Sequence, residues 1–293
     1  MVSDATEYDV VVVGGGPAGC STGLFAARYG LDTVIFDRGR SSIQRCAFLE
    51  NYLGFPGGID IETLYGLMHD HAESVGCSVV DDLVESVERD GEGFRVTRQA
   101  GDPVTARWVV AATRYGGEYL RPLDGDAMFT TRGGEERFDR DYADADGATP
   151  VDGLFVASPY GDTGYQASMA AGRGARVGIS LVEAVRRSRG YPESMANYYD
   201  WRRRESELDD EWTDPDRWRE WFDDRLPDDH GLTEDRLAEL RDRDVTRRLD
   251  TYLSEAEIER RRERAHDRLL DHVDDDRILA AARDIEAERR ANE

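Results

Sequence analysis

The chain has 293 residues, room for one large domain or two modest ones, and carries 62 acidic against 38 basic residues for a net charge of -24. So acidic a surface repels nucleic acid and anionic lipid headgroups, which argues against both as partners. No apolar run approaches the ~20 residues that span a bilayer, Met1-Val2-Ser3-Asp4 is polar and acidic rather than leader-like, and Cys20, Cys46 and Cys77 are too scattered for a disulfide framework, so the expectation is a soluble cytoplasmic protein.

The first element is the most informative. Tyr8-Asp9 and four valines, Val10 to Val13, read as a buried strand, and Gly14-Gly15-Gly16-Pro17-Ala18-Gly19 follows at once. Gly14 permits a tight turn, Gly16 lets backbone approach a pyrophosphate, and Gly19 lets the next helix pack on the strand. The N-terminus of that helix favours an anion by up to ~2 kcal/mol. The helix runs through Leu24, Ala27 and Arg28 to Gly30, which suits a left-handed cap. A second strand, Thr33-Val34-Ile35-Phe36, ends in Asp37, placed to accept both hydroxyls of an adenosine ribose. Strand, glycines, helix, strand and acid in this order define a dinucleotide-binding unit, though they do not choose between NAD and FAD.

Residues 38–59 have the Gly and Pro content of a structured loop. Asp60 is a candidate N-cap for a helix with Ile61, Leu64 and Met68 on one face. His69 and His71 lie two apart on it, point to different faces and read as surface residues, not a metal pair; no metal site is expected. Short strands are expected over 77–80, 83–87, 94–97 and 104–110, with Asp90-Gly91 as a hairpin turn and 108–113 as a further buried strand. Residues 125–152 are polar and rich in Gly and Asp. A last strand over 153–157 leads to a helix over about 166–186, whose small residues Ala167, Ala171, Gly174 and Gly178 permit close packing on a sheet.

Three stretches beyond the first glycine loop carry a family likeness: Leu49-Glu50-Asn51-Tyr52-Leu53-Gly54-Phe55-Pro56, the run from Thr149 to Ala157, and Gln166-Ala167 with Ala171-Gly172-Arg173-Gly174-Ala175. On these, residues 6–123 and 150–182 resemble the FAD-binding domain of thioredoxin reductase-like flavoproteins. The resemblance implies an α/β, Rossmann-like FAD domain, a parallel sheet with helices plus a small antiparallel meander. It implies FAD as cofactor, with Gly14, Gly16, Pro17, Ala18 and Gly19 at the pyrophosphate and Asp37 at the ribose. Arg38 and Thr113 would be further contacts. Asn51 would lie near the isoalloxazine and Gln166-Ala167 at its pyrimidine end, where a helix N-terminus favours negative charge.

The departures are as specific. Full-length relatives carry a second dinucleotide domain, for NADPH, and usually a Cys-x-x-Cys; here about thirty residues separate Leu123 from Gly153, too few for a βαβ unit and its sheet, and neither motif occurs in the 293 residues. The family's Ala-Thr-Gly turn reads Ala112-Thr113-Arg114. Its Gly-Asp after the late strand reads Ser158-Pro159, with Asp162 displaced downstream as a candidate ribityl or phosphate contact. Cys46 lies five residues before Asn51 and beside Arg45, a cation that would lower a thiol pKa. It is the one candidate for a catalytic role, weighed against plain packing as a small buried hydrophobe. Cys20 and Cys77 read as structural.

From Gly190 the composition shifts to Arg, Asp, Glu, Trp and Leu, and residues 190–293 are expected to be an α-helical region following a FAD domain over 1–189. Thr213-Asp214-Pro215 starts a helix, with Trp212, Trp218, Trp221 and Phe222 clustered nearby. Leu237, Leu240, Leu249 and Leu253 suggest one amphipathic helix. Ser254-x-x-Glu257 caps the next, with Ile258, Leu269 and Val273 beneath, and a last helix carries Ile278, Leu279, Ala282 and Ile285. The region is either an appendage packed on the FAD domain or a docking module for an electron donor or a second copy of the chain. Every basic residue is Arg, and the acidity resembles proteins of salt-loving archaea, where a Debye length of ~3 Å at molar salt screens self-repulsion. The functional expectation is an FAD-dependent oxidoreductase with an unidentified electron donor and acceptor, such as a redox protein. The alternative is a binding protein that holds FAD or a nucleotide without turnover.

Overall fold

The structure, a computed structural model, describes residues 6–114, 116–161 and 166–292. The chain divides into two compact units, one of residues 1–189 with 196–200 and one of 190–195 with 201–293.

The first unit opens with β1 (Thr6–Val13), α1 (Pro17–Arg28) and β2 (Thr33–Asp37). A small hairpin of β3 (Phe48–Leu49) and β4 (Ile59–Asp60) follows, in the stretch expected to be loop, then α2 (Ile61–Ser74). Asp60 caps α2 by accepting from the Thr63 amide at 2.8 Å, which relieves one of the four amides a helix leaves unpaired at its start. Next come β5 (Ser78–Asp81), β6 (Val84–Asp90), β7 (Gly93–Arg98) and β8 (Val104–Ala112). The stretches 104–110 and 108–113 are thus one strand rather than two. The short helix α3 (Arg121–Asp124), the hairpin β9 (Phe129–Arg132) and β10 (Glu135–Phe138), then β11 (Leu154–Ser158) and α4 (Ala167–Ser188) complete the unit.

β5, β2, β1 and β8 run parallel in that order. The far edge of β8 is shared: residues 104–106 pair antiparallel with β7, and residues 109–112 pair parallel with β11. One strand therefore has two partners along the same edge within a single seven-stranded sheet, and this length is why its two halves look like separate strands in the sequence. Val10, Val11, Val12, Val34, Ile35, Val109 and Val110 are fully buried, as expected of a parallel sheet covered on both faces. Alternate residues face alternate layers. Val10, Val12, Ile35 and Val110 share a core with Ala26 of α1 and with Val177 and Leu181 of α4, while Val11, Val34 and Val109 share one with Val87, Phe94, Met128 and Phe138.

The small residues of α4 meet a helix, not a sheet. A methyl group on Gly174 would lie 2.1 Å from Ala18 O, and one on Gly178 would lie 2.9 Å from Phe25 Cβ. Thr22 Oγ1 sits 2.9 Å from the carbonyl oxygens of both Ala18 and Gly174. The sheet-side face of α4 is instead its large apolar one, because those side chains supply the burial that glycines cannot.

In the second unit, the short strands β12 (Arg203–Arg204) and β13 (Tyr252–Leu253) pair, and the helices are α5 (Pro215–Asp223), α6 (Glu234–Leu249), α7 (Glu255–Leu270) and α8 (Asp275–Ala291). Asp214 caps α5 and Ser254 caps α7, accepting from Asp216 and Glu257 amides. Leu253 stands outside α6, on β13. Tyr191, Met195, Phe222 and Leu240 form the unit's core. No residue of α7 or α8 is buried; Leu269 and Val273, expected beneath the capped helix, are exposed, as are Leu279 and Ile285 of the last helix. No helix among the described residues is long and apolar enough to cross a membrane.

Candidate functional site

The chain leaves β1 through a turn that only glycine tolerates. Gly14 has φ 118°, and a methyl group there would lie 2.5 Å from Ala112 O; one on Gly19 would lie 1.7 Å from Gly14 O. The first turn of α1 thus sits directly on the loop that precedes it. Gly16 is the N-cap of α1 and Pro17 its first residue, and the first helical bond is Cys20 N–H to Gly16 O at 2.9 Å. The amides of Ala18 and Gly19 lie ahead of that bond, at the positively polarised end of the helix.

Above this turn lies a cavity of about 520 Å³. Gly14, Gly15 and Gly16 form one side, Asp37 and Arg38 the end of β2, Leu83 and Val84 an apolar wall, and Thr113, Arg114 and Tyr119 the far side. A second cavity of about 110 Å³ adjoins it, lined by Pro17, Ala18, Cys46, Leu49, Gln166 and Ala167 among others. Five residues border both: Gly16, Ser41, Ser42, Ala112 and Arg114.

The sequence-derived site residues divide accordingly. Gly14, Gly16, Asp37, Arg38 and Thr113 line the larger cavity, and Gly16, Pro17, Ala18, Gln166 and Ala167 the smaller. Gly19 lies under the turn and lines neither. Asn51 is exposed, and its Nδ2 donates to Gln166 Oε1 at 3.1 Å, joining two of the three stretches on which the family likeness rests. Asp162 lies outside the described residues. Cys46 is exposed, on the rim of the smaller cavity. The packing role weighed for it is thereby corrected: the chain passes from the turn 42–45 to β3 with the thiol on the outside. Cys20 and Cys77 are buried as structural thiols, and burial, with the Asp37 charge adding at Cys20, pushes each up to about 12.

Asp37 is more engaged than the sequence suggests. Its Oδ1 accepts from the Gly39 amide at 3.1 Å, its Oδ2 accepts from the Tyr65 hydroxyl, and His69 Nε2 lies 3.5 Å from Oδ2. His69 is half-buried rather than a surface residue, with Nε2 3.0 Å from Gly15 O. A carbonyl only accepts, so Nε2 carries the proton. Burial first, and then the bond to Asp37, raise the Tyr65 phenol above its ordinary range. The four-residue spacing of Tyr65 and His69 puts their rings on one face of α2, tilted to each other with centres 4.5 Å apart, but says nothing of what that face meets.

Glycines with close backbone approach, free amides, a carboxylate at the end of β2 and the cavity arginines Arg38, Arg40, Arg45 and Arg114 are a donor set that fits an adenine dinucleotide. A dinucleotide-binding α/β protein is the class this defines. Residues 8–205 match the family model "Pyridine nucleotide-disulphide oxidoreductase", and the chain belongs to that family, in which it is thioredoxin reductase-like and its relatives are FAD-binding flavoproteins. It is 31% identical over 123 residues to a thioredoxin reductase of Bacillus subtilis, covering 41% of this chain and 37% of that one. It is 33% identical over 131 residues to a bifunctional thioredoxin reductase/thioredoxin of Mycobacterium leprae, covering 44% and 28%. The match thus spans about a third of the length of these relatives. A solved thioredoxin reductase from Gloeobacter violaceus shares the fold with a TM-score of 0.54 at 18% identity, over 68% of this chain and 99% of that chain.

Proposed function

We propose that the chain is an FAD-dependent oxidoreductase that passes electrons between a donor and an acceptor other than by the thioredoxin route, since no Cys-x-x-Cys lies in these 293 residues. The observation that carries this reading is the pair of adjoining cavities, with the glycine turn, Asp37, Arg38 and Thr113 on one and Gln166-Ala167 on the other. When bound, FAD supplies the two-electron chemistry. Gly14 to Gly19 would hold its diphosphate, Asp37 its adenosine ribose, and Asn51, hydrogen-bonded to Gln166, would lie towards its ring system. Asp162 is the further candidate contact.

Residues 190–293 are, in this reading, a helical appendage or docking module, and the partner is a redox protein or a second copy of the chain. The acidic surface favours a salt-rich cytoplasm and disfavours nucleic acid and membranes. The second reading, a nucleotide- or FAD-binding protein without turnover, is favoured by one observation: Arg114 and Ser42 meet where the two cavities join.

Protein purified in molar KCl is expected to be yellow, to release FAD on acid denaturation, and to be bleached anaerobically by NADH, NADPH or a reduced ferredoxin and restored by air. Yellow protein that none of these donors bleaches supports the second reading. Colourless protein that takes up no FAD removes both FAD readings.

A further inference from the structure

Arg114 stands at the position where the family turn has glycine, and the backbone there is still that of a glycine. Its φ is 55°, and it alone among the described non-glycine residues has positive φ. A large side chain on such a backbone is unusual. Its surroundings suggest what it does. Arg114 borders the cavity of about 520 Å³, the adjoining one of about 110 Å³, and a third of about 90 Å³ between Ser158, Tyr160 and Arg173. One of its terminal nitrogens, Nη1, donates to Ser42 Oγ at 2.8 Å. Ser42 is itself one of the five residues common to the first two cavities, with Gly16 at the start of α1.

We propose that Arg114 is a diphosphate-binding residue, positioned to grip the diphosphate of an adenine nucleotide where the adenosine-side cavity meets its neighbour. The chemistry is particular to arginine. A guanidinium has five N–H donors in a planar fork, and the fork matches two phosphate oxygens at once. Arg114 also adds positive charge at the boundary crossed by a ligand that fills both cavities. Arg38, Arg40 and Arg45 line the larger cavity with it, alongside Asp37, Asp82, Glu85 and Glu118, so the lining holds as many arginines as acids in a chain whose net charge is -24. Ser42 holds the guanidinium across the boundary and yields it to the phosphates on binding. The inference deepens the FAD reading for the same site, but it rests on the diphosphate, which FAD and ADP share.

Binding of FAD, ADP, adenosine and riboflavin to the full-length apoprotein, by flavin fluorescence and calorimetry, separates the cases. Arg114→Gly is expected to weaken FAD and ADP by about 10- to 100-fold, the range for charge-assisted hydrogen bonds, and to leave adenosine and riboflavin unchanged. Arg114→Lys is expected to recover part of the loss as a point charge. Ser42→Ala is expected to bind FAD and ADP as well as wild type or a few-fold better. A glycine variant that binds FAD and ADP as tightly as wild type, or more tightly, overturns the proposal and makes Arg114 a plug instead. Wild type that binds ADP but not FAD ends the flavoprotein reading while the ADP arm still tests Arg114; wild type that binds neither ends both.

Discussion

In the first unit three glycines let backbone meet backbone: a side chain on Gly14 would strike Ala112 O, one on Gly19 Gly14 O, and one on Gly174 Ala18 O. In the second unit arginines lie over tryptophans. Arg248 lies 3.9 Å from the Trp221 ring centre and Arg225 3.8 Å, while Trp218 packs between Trp212 and Trp221. The first arrangement fixes backbone to backbone and leaves little freedom in where a ligand-facing amide points. The second lets long charged side chains cover aromatic surface while their charges stay near water. In the first unit, then, an apolar residue in the pattern is a buried one, because the sheet is covered on both faces. In α7 and α8 the apolar spacing makes a helix without burying a residue.

The sharpest way to break the comparison is at Gly19. A side-chain carbon there would stand 1.7 Å from Gly14 O, and neither the helix nor the glycine turn can yield without losing the other. Gly19→Val is expected to cost at least about 4 kcal/mol and to leave little folded protein. A variant whose urea midpoint stays close to wild type would show that α1 does not sit on the turn as described.

A smaller effect sharpens the contrast inside the second unit. Leu240 is fully buried on α6 and Leu279 is 51% exposed on α8. The same substitution should therefore separate them: Leu240→Ala is expected to cost about 2–5 kcal/mol, and Leu279→Ala to stay within about 0.5 kcal/mol of wild type. Equal losses in urea unfolding would mean that α8 is covered in solution.

What could be read in advance follows the same division. From β1 to Asp37 every step was legible, because each depends on neighbours in the chain: valines for a covered strand, glycines for a turn, a cap at Gly30, an acid at a strand end. The Asp60 and Ser254 caps were legible for that reason too. The hairpin of β9 and β10 was not, since its faces are set by Phe129 and Phe138 packing beneath it within a run that is polar overall. Leu253 left its expected helix for β13, where the strand 203–204, some fifty residues away, supplies the partner. At the site, the glycines and Asp37 were visible, while Tyr65 and His69 were not. Their role comes from where α2 lies against Asp37 and Gly15, which no local spacing encodes.

The smallest expected effect isolates a single backbone angle. Arg114→Gly and Arg114→Ala both remove the guanidinium and its bond to Ser42, so the difference between them reports the backbone alone. A left-handed backbone costs a residue with a Cβ about 1–2 kcal/mol, and glycine's extra freedom in the unfolded chain takes back about 0.5–1 kcal/mol. With φ at 55°, the glycine variant should be the more stable of the two by about 0.5–1 kcal/mol, read as a shift in urea midpoint at unchanged slope. Alanine equal to or better than glycine would mean that position 114 is not held left-handed. The guanidinium would then reach the cavities by a different route, and its bond to Ser42 would need another explanation.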